Sequence, residues 1–226
     1  QRRSAVDMDG KTELPRDLFY AMLERTVPRQ GRIPWEAWPL SPCIHLGLFV
    51  HRVRHLQPGL YALVRRPETL GSLRQAMRPE FLWEKPAQCP ESLPLYVLRF
   101  MDGRDLATEV SCHQDIAGDG AFSLGMLAEF EESLRRFGPW HYRRLFWEAG
   151  LIGQVLYLEA EAAGMRATGM GCYFDDPVHR IFGLRDLAFQ SMYHFTVGGP
   201  VEDERLTTRP PYSVERRALA GRSPAD

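Results

Sequence analysis

The chain has 226 residues, of which 44% are hydrophobic and 11% aromatic, enough for one large domain or two small ones. Its formal net charge of −1 gives no electrostatic reason to expect binding to nucleic acid or to an anionic membrane. No apolar stretch reaches the roughly 18 residues that a membrane-spanning helix needs.

The first half of the chain predicts one helix followed by strands. Residues 14–27 have apolar side chains at helical spacing, so we expect a helix that buries Leu18, Met22 and Leu23. A loop rich in proline and tryptophan follows, and a second long loop is expected at 78–92, after a short helix. Alternating or continuous apolar residues predict strands in CIHLGLFVHRV, PGLYALVRR and LPLYVLRF.

The second half alternates helices with strands. RDLATEVSCHQDIAGDG (104–120) predicts a helix that ends at glycine, and AFSLGML (121–127) predicts a buried strand. A short amphipathic helix then ends at Gly138. The longest predicted helix follows, and its buried stripe contains Leu145, Ala149, Ile152, Leu156, Ala160 and Ala163.

A cluster of glycines follows this long helix in GMRATGMGCYFDD (164–176). The segment predicts a strand that runs into a loop, and the glycines suit either a plain turn or a backbone surface that a flat, anionic ligand approaches closely. AFQSMYHFTVG (188–198) predicts the last strand, and residues 199–226 predict an extended tail with little core of its own.

Two groups of polar side chains have a structural and a functional interpretation. His51 and His55, with His45 nearby, would form a metal face on a helix, but their segment alternates as a strand does, which favours polar residues at a strand edge. Asp175 and Asp176 suit acid–base chemistry or magnesium, but at a helix start they are more simply caps.

The four cysteines give no support for a zinc site or a thioredoxin-like motif, because no pair has CxxC spacing. The default expectation is therefore a reduced, cytoplasmic protein. Cys112 and His113 are adjacent in a predicted helix, where neighbours diverge by roughly 100°, so they do not form a nucleophile and base. The sequence thus predicts no catalytic side chain and no metal ligand.

The basic pair at the start of the chain is a candidate anion site. Arg2, Arg3 and Ser4 form the motif RRS, and Arg205 lies near the other end of the sequence. If the fold brings these residues together, two guanidinium groups and a hydroxyl would grip a phosphate through charge-assisted hydrogen bonds.

Several motifs in this order resemble the nitroreductase superfamily of FMN flavoproteins. They are RRS, YRRLFWEAGLIGQVLYLEAEAAGM, RATGMGCYFDD and FTVGGPVEDERL. The likeness is strongest from Cys112 to Leu206 and is closest to the SagB-type dehydrogenase branch, which includes flavin enzymes that oxidise azolines to azoles in modified peptides. It implies an α+β fold with a central, mostly antiparallel sheet flanked by helices, a long central dimer helix and an extended C-terminal tail.

The resemblance also implies the cofactor site. The opening arginines and Ser4 would hold the FMN phosphate and ribityl chain, and Arg205 would grip the phosphate from the C-terminal side. Backbone N–H groups of the glycine-rich loop would face flavin N5 and the pyrimidine edge, here those of Gly169, Met170, Gly171 and Cys172. Either His113 or Gln114 would reach the flavin from the preceding helix. Val6 stands where the family has a basic residue, so one flavin contact is missing.

These expectations define a leading and an alternative function. The first is an FMN-dependent oxidoreductase that transfers hydride through flavin N5 in a ping-pong cycle, with NADH or NADPH as a possible reductant. It would be a homodimer with the flavin at the interface, acting on a small-molecule or peptide-derived substrate. The alternative is a binding or scaffold domain in a biosynthetic complex that has weakened or lost FMN binding, as Val6 and the two unusual loops suggest. Residues 1–226 are expected to form one domain, and the start at QRRS suggests part of a longer, perhaps tandem, protein.

Overall fold

The computed structural model of the protein describes residues 3–207. Its strands are β1 (Leu14–Pro15), β2 (Ile44–Val50), β3 (Val53–Arg54), β4 (Gly59–Leu63), β5 (Leu95–Phe100), β6 (Phe122–Glu129), β7 (Arg166–Met170) and β8 (Phe189–Gly198). Its α-helices are α1 (Arg16–Thr26), α2 (Leu70–Ala76), α3 (Arg104–Val110), α4 (Ile116–Asp119), α5 (Phe130–Phe137), α6 (Tyr142–Ala162) and α7 (Asp175–Phe182). None of the helices in this part of the chain is long and apolar enough to cross a membrane.

Six strands form the central sheet in the order β5-β4-β2-β6-β8-β7. Every neighbouring pair in this sheet is antiparallel, while β1 and β3 form a separate, two-stranded parallel pair. β2 lies between β4 and β6, with Gly47 opposite Ala62 on one side and Gly125 on the other. The predicted fold class, a mostly antiparallel sheet flanked by helices, is confirmed.

Helices cover both faces of the sheet, and each face has its own hydrophobic core. One core packs α1 and α6 against the sheet, with Phe19, Ile152 and Leu156 among its buried side chains. The other packs α2, α3, α4 and α7, with Val110 and Phe182 among its members. Because β2 is central and covered on both faces, all seven of its residues are buried, including those that the alternating pattern assigned to a polar face.

The first helix buries a different stripe from the predicted one. Met22 and Leu23 are buried as expected, but Leu18 is 40% exposed and Phe19 is completely buried. The spacing of Phe19, Met22, Leu23 and Thr26 matches one helical face, and Leu18 lies to the side of it. The prediction for Leu18 was therefore wrong because Phe19 supplies the larger apolar surface.

The predicted single helix across residues 104–120 is two helices separated by a turn. Cys112 and His113 have φ angles of 57° and 58°, in the left-handed region where a helix cannot continue. α3 ends at Val110 and α4 begins at Ile116. The expectation that the Cys112 and His113 side chains diverge as neighbours on a helix therefore does not apply.

The paired aspartates begin α7 but do not cap it. Phe174 occupies the N-cap position without a side-chain hydrogen bond, and Asp175 and Asp176 lie in the first helical turn. Their carboxylates face the positive end of the helix dipole, which is a favourable position for them. The capping prediction was wrong by one residue, and the helix ends at Gly183, which is in the left-handed conformation.

His51 is buried and not a polar residue at an exposed strand edge. Its Nε2 donates a hydrogen bond to the carbonyl oxygen of Ala117 at 3.2 Å, and burial lowers the pKa of His51 to about 4. His55 turns away in a left-handed conformation. Within residues 3–207, no three His, Cys, Asp or Glu side chains come together as metal ligands would.

Candidate functional site

The two ends of the described chain meet beside β7. Ser4 pairs with Ala167 of β7 as a parallel bridge, and the Ala5 amide donates to the Ala167 carbonyl at 3.0 Å. The Asp9 amide in turn donates to the Gly199 carbonyl at 2.9 Å. The fold therefore brings the opening motif and the segment after β8 together, as the phosphate-grip hypothesis requires.

A cavity of about 90 Å³ lies where these segments meet, and we call it the terminal cavity. Its lining includes Arg3, Ser4, Val6, Arg166, Asp203 and Leu206. Arg166 forms an ion pair with Glu161 at 2.9 Å, and the Arg3 amide donates to the same carboxylate at 3.4 Å. Arg166 is a cationic residue that the sequence reasoning missed, since it is only the first residue of a predicted strand.

Arg205 lies next to this cavity but is held by its own segment. Its guanidinium donates two hydrogen bonds of 2.8 Å to the Asp203 carboxylate, and its side chain is 89% exposed. These hydrogen bonds lower the pKa of the Asp203 carboxyl group. Arg2 lies outside the described residues.

Tyr157 of α6 joins the opening motif to the glycine-rich loop. Its hydroxyl is 2.7 Å from the Ser4 hydroxyl and accepts a hydrogen bond from the Gly169 amide at 3.0 Å. A Cβ atom on Gly169 would lie only 2.7 Å from the Tyr193 hydroxyl oxygen. A larger residue at position 169 would therefore displace the Tyr193 side chain, and the Gly169 amide is already used within the chain.

The backbone edge beyond β7 is exposed. Pairing of β7 with β8 ends where Met170 faces His194, and the side chain of Met170 is buried in the core. Gly171 and Cys172 are both exposed. In the part of the chain that the structure describes, no group accepts a hydrogen bond from either of their amides. These two N–H groups are therefore available to a ligand.

Cys172 forms a disulfide bond with Cys112, which was not predicted. The two residues are 60 positions apart in sequence, and their Cα atoms are 5.8 Å apart. The expectation of a reduced protein is thus wrong for this pair, while Cys43 and Cys89 are free thiols. Spacing rules for local motifs cannot detect a pair that depends on the sheet topology.

The turn after α3 also contacts this loop through the two predicted flavin-contacting side chains. Gln114 Nε2 donates to the Cys172 carbonyl at 3.1 Å, so Gln114 binds the loop directly. His113 is exposed, and its ring lies edge-on to Phe174 with the centroids 5.7 Å apart. Gln114 holds the loop backbone, and His113 packs against its outer surface.

His194 lies beneath both cysteine-bearing segments. Its Nδ1 is 3.1 Å from the Ser111 hydroxyl and its Nε2 is 3.2 Å from the Ser191 hydroxyl. The Tyr173 ring stacks on the imidazole with the centroids 4.6 Å apart and the planes inclined by 18°. Burial lowers the pKa of His194 to about 4, so the ring is neutral near pH 7.

A second recess, the α6 groove, is lined by Tyr157, whose hydroxyl contacts Ser4 of the terminal cavity. It has a volume of about 190 Å³ and runs between α6 and β8. Aromatic and small residues dominate its lining, which includes Phe146, Gly150, Gly153, Gln154, Tyr157 and Tyr193. The glycine-rich loop contacts this apolar, aromatic groove through Gly169, which lies against Tyr157 and Tyr193.

This fold and site define an α+β protein with two small recesses beside β7 and β8, at one edge of its sheet. Residues 55–199 match the model of the nitroreductase family, which is more than half of the chain. The chain belongs to the nitroreductase family. A search of curated proteins finds no match.

Solved structures agree with this assignment. A nitroreductase-type protein from Anabaena variabilis superposes with a TM-score of 0.68 at 23% identity, covering 89% of this chain and 37% of its own. The microcin synthetase McbBCD complex of E. coli, with truncated pro-MccB17 bound, gives a TM-score of 0.64 at 18% identity over 90% of this chain and 70% of the other. An FMN-dependent nitroreductase from Clostridium difficile gives a TM-score of 0.50 at 8% identity, covering 94% of this chain and 92% of its own.

These identities are low enough that the similarity shows the fold alone. The chain spans 37% of the length of the Anabaena protein, so it corresponds to a part of that larger structure.

Proposed function

We propose that the protein is an FMN-dependent oxidoreductase of the nitroreductase kind, with flavin N5 as the hydride-transfer atom and a ping-pong cycle. One observation carries this proposal: the opening motif is joined to the glycine-rich loop through Tyr157, and it meets the segment after β8 at the terminal cavity. Membership of a family with FMN-dependent structural neighbours supports it. NADH or NADPH is the proposed reductant.

The terminal cavity offers a phosphate group several hydrogen-bond donors, although the carboxylates of Glu202 and Asp203 also line it. Arg3 and Arg166 contribute cations and Ser4 a hydroxyl, which together match a phosphate that accepts several charge-assisted hydrogen bonds. Glu161 holds Arg166 in the absence of such an anion. In our proposal the phosphate takes over part of this pairing, and Arg205 turns from Asp203 to the same anion.

The exposed backbone edge suits the polar side of the flavin ring. The unpaired amides of Gly171 and Cys172 are donors for acceptor atoms at the ring edge, while the Gly169 amide serves Tyr157. Flavin supplies the hydride chemistry, and the protein contributes binding, orientation and a hydrogen bond where charge develops. The site therefore needs no catalytic triad, and we assign no catalytic side chain.

A homodimer with the flavin at its interface is part of the proposal. Helix α6 exposes Tyr142 (47%), Phe146 (38%), Trp147 (46%) and Leu158 (53%), which is more apolar surface than one isolated helix usually leaves in water. The α6 groove opens on this side, next to the proposed ring site. Analytical ultracentrifugation tests this part, and a stable monomer with bound FMN would contradict it. The substrate is proposed to be a small molecule or a modified peptide.

Titration with FMN, followed by absorbance and by quenching of flavin fluorescence, tests the site. We expect Arg205→Ala to weaken FMN binding by about 1.5 kcal/mol, the low end for a charged hydrogen bond, because Asp203 competes for this side chain. Arg135→Ala is the matched control, since Arg135 also pairs with a nearby carboxylate on the surface but lies on α5. Equal affinity in the Arg205 and Arg135 variants would refute the phosphate role.

Specific contacts also favour the alternative, a binding or scaffold domain with weakened FMN affinity. Tyr157 occupies the Gly169 amide, Asp203 occupies Arg205, and Val6 gives an apolar side chain where the family has a base. A neighbour within a synthetase complex is consistent with this role. Purified protein that is colourless and gains no bound flavin when mixed with FMN would support the alternative over the enzyme.

A further inference from the structure

The Cys112–Cys172 disulfide is open to solvent on one side. Cys172 is exposed and Cys112 is half-buried. An incoming thiolate therefore reaches the Cys172 side of the bond first. Disulfides with such access are the ones that exchange readily, whereas fully buried disulfides are inert structural links.

The two cysteine-bearing segments are also held together by contacts that do not involve sulfur. The Phe174 amide donates to the Val110 carbonyl at 2.8 Å, so the backbones are hydrogen-bonded to each other just outside the disulfide. Gln114 Nε2 bridges the segments, donating to the Ser111 carbonyl at 2.6 Å and to the Cys172 carbonyl at 3.1 Å.

A third tie runs through His194, which lies under both segments. Its Nδ1 meets the Ser111 hydroxyl, next to Cys112, and its ring stacks with Tyr173, next to Cys172. The sulfur atoms would therefore stay close to each other when the bond is broken. Two thiols held in this way re-form their disulfide at a high effective concentration, without a search through unfolded conformations.

We propose that Cys112 and Cys172 form a reversible two-electron redox site that undergoes thiol–disulfide exchange with an external dithiol. Its chemistry is separate from hydride transfer, and the exchange is proposed for the protein without bound FMN, because Cys172 also belongs to the proposed flavin edge. Cys112 and His113 both have left-handed backbone conformations, and the turn that they form presents the Cys112 side chain toward the loop. Residues 169–172, the proposed flavin edge, thus end at a redox-active residue.

The exchange proceeds in two balanced steps. A thiolate of the dithiol attacks Cys172 Sγ, the protein S–S bond breaks, and its electron pair leaves on Cys112 Sγ, which takes a proton from water. The second thiolate of the reagent then attacks the mixed disulfide, and Cys172 Sγ leaves and is protonated. The dithiol is oxidised to a cyclic disulfide, and the protein gains two electrons and two protons.

Thiol counting in dithiothreitol redox buffers tests the proposal. After equilibration, the protein is denatured in iodoacetamide, and the alkylated cysteines are mapped by mass spectrometry. We expect only Cys43 and Cys89 to be alkylated at the oxidising end and all 4 cysteines at the reducing end, in a single two-electron transition. Far-UV circular dichroism and cooperative unfolding should persist in the reduced protein, and reoxidation should restore the starting pattern.

Variants distinguish a redox-active disulfide from one that only stabilises the fold. Cys89→Ser is the control, because Cys89 is a partly buried free thiol outside the disulfide. In this variant the Cys112–Cys172 pair should be reduced at the same dithiothreitol ratio as in the unchanged protein. In Cys112→Ser, the remaining Cys172 should form a mixed disulfide with oxidised glutathione, and in Cys172→Ser the half-buried Cys112 should do so more slowly. The double variant Cys112→Ser/Cys172→Ser should keep the native circular dichroism spectrum. Four alkylated thiols even under oxidising buffer, or loss of the native spectrum on reduction or in the double variant, would overturn the proposal.

Discussion

Replacing Glu148 with Gln should be among the most destabilising single substitutions in the chain. Glu148 lies on α6 and forms an ion pair with Arg65, and the two side chains are 3% and 0% exposed. Its carboxylate also accepts hydrogen bonds from the Cys43 amide at 2.8 Å and the Ile44 amide at 3.3 Å. One residue of the long helix therefore neutralises a buried cation and anchors the start of β2.

The magnitude follows from what the variant leaves behind. A glutamine keeps one acceptor oxygen but directs its NH₂ group at a donor, so at least one charge-assisted hydrogen bond is lost, worth about 1.5–3 kcal/mol. Arg65 then has no anionic partner in a site without solvent, and its remaining contacts are neutral: the carbonyl groups of Thr26 and Ile44 and the Trp35 ring 4.6 Å away. Breaking one side of a buried ion pair costs about 3–5 kcal/mol, and we expect a loss in that range.

Urea denaturation followed by circular dichroism measures this loss at equilibrium. The matched control is Glu132→Gln, which breaks the Glu132–Arg135 pair on α5, where the side chains are 59% and 76% exposed. That change should cost at most about 1 kcal/mol, as surface pairs do. If Glu148→Gln loses no more free energy of unfolding than this control, the carboxylate does not compensate Arg65 as described.

Two further predictions concern backbone strain and pH. Gly183→Ala should lower the free energy of unfolding by about 2–4 kcal/mol, because Gly183 has a φ of +83° and a Cβ there would lie 2.7 Å from the Arg78 amide nitrogen. The control is Gly164→Ala, which should cost only about 1–2 kcal/mol, because Gly164 has a φ of +71° but open space around it. Equal losses in urea titrations of the two variants would refute the steric reasoning. The pKa of His194 falls from 6.5 to about 4 on folding, so only the unfolded chain binds its proton between these values, and stability should decline as pH falls through that window. His194→Gln should reduce this decline by about 1.4 kcal/mol per pH unit, and an unchanged slope in urea midpoints from pH 6.5 to 4.5 would show that the imidazole is not kept neutral.

Local patterns predict much of the fold because strands and helices have distinct periods. The main strands of the sheet, the long helix and the buried stripe through Leu145, Ile152 and Leu156 follow from apolar spacing, whereas the antiparallel arrangement was implied by the family likeness. The errors come from tertiary context. β2 is buried on both faces, so its alternation has no meaning, and Phe19 takes the core position that periodicity alone gave to Leu18.

The candidate site is only partly predictable for a related reason. The family likeness points to the opening motif and the glycine-rich loop, and the structure places them together. Tyr157 and His194 have no sequence signal, because their roles depend on which strands are neighbours. The break at Cys112 and His113 could not be predicted either, because a left-handed conformation is uncommon in any residue except glycine, even though histidine adopts it more often than most.

The attachment of the two ends to each other has a mechanical consequence. Residues 4–9 and 199–201 are joined to each other by a few backbone hydrogen bonds, such as those from Asp9 to Gly199 and from Val201 to Asp7. A force that separates residues 3 and 207 loads these few bonds one after another, before it reaches the long ladders of the six-stranded sheet. The terminal cavity would thus be the first part of the molecule to open under tension, and a ligand that bridges its two sides would raise the force required.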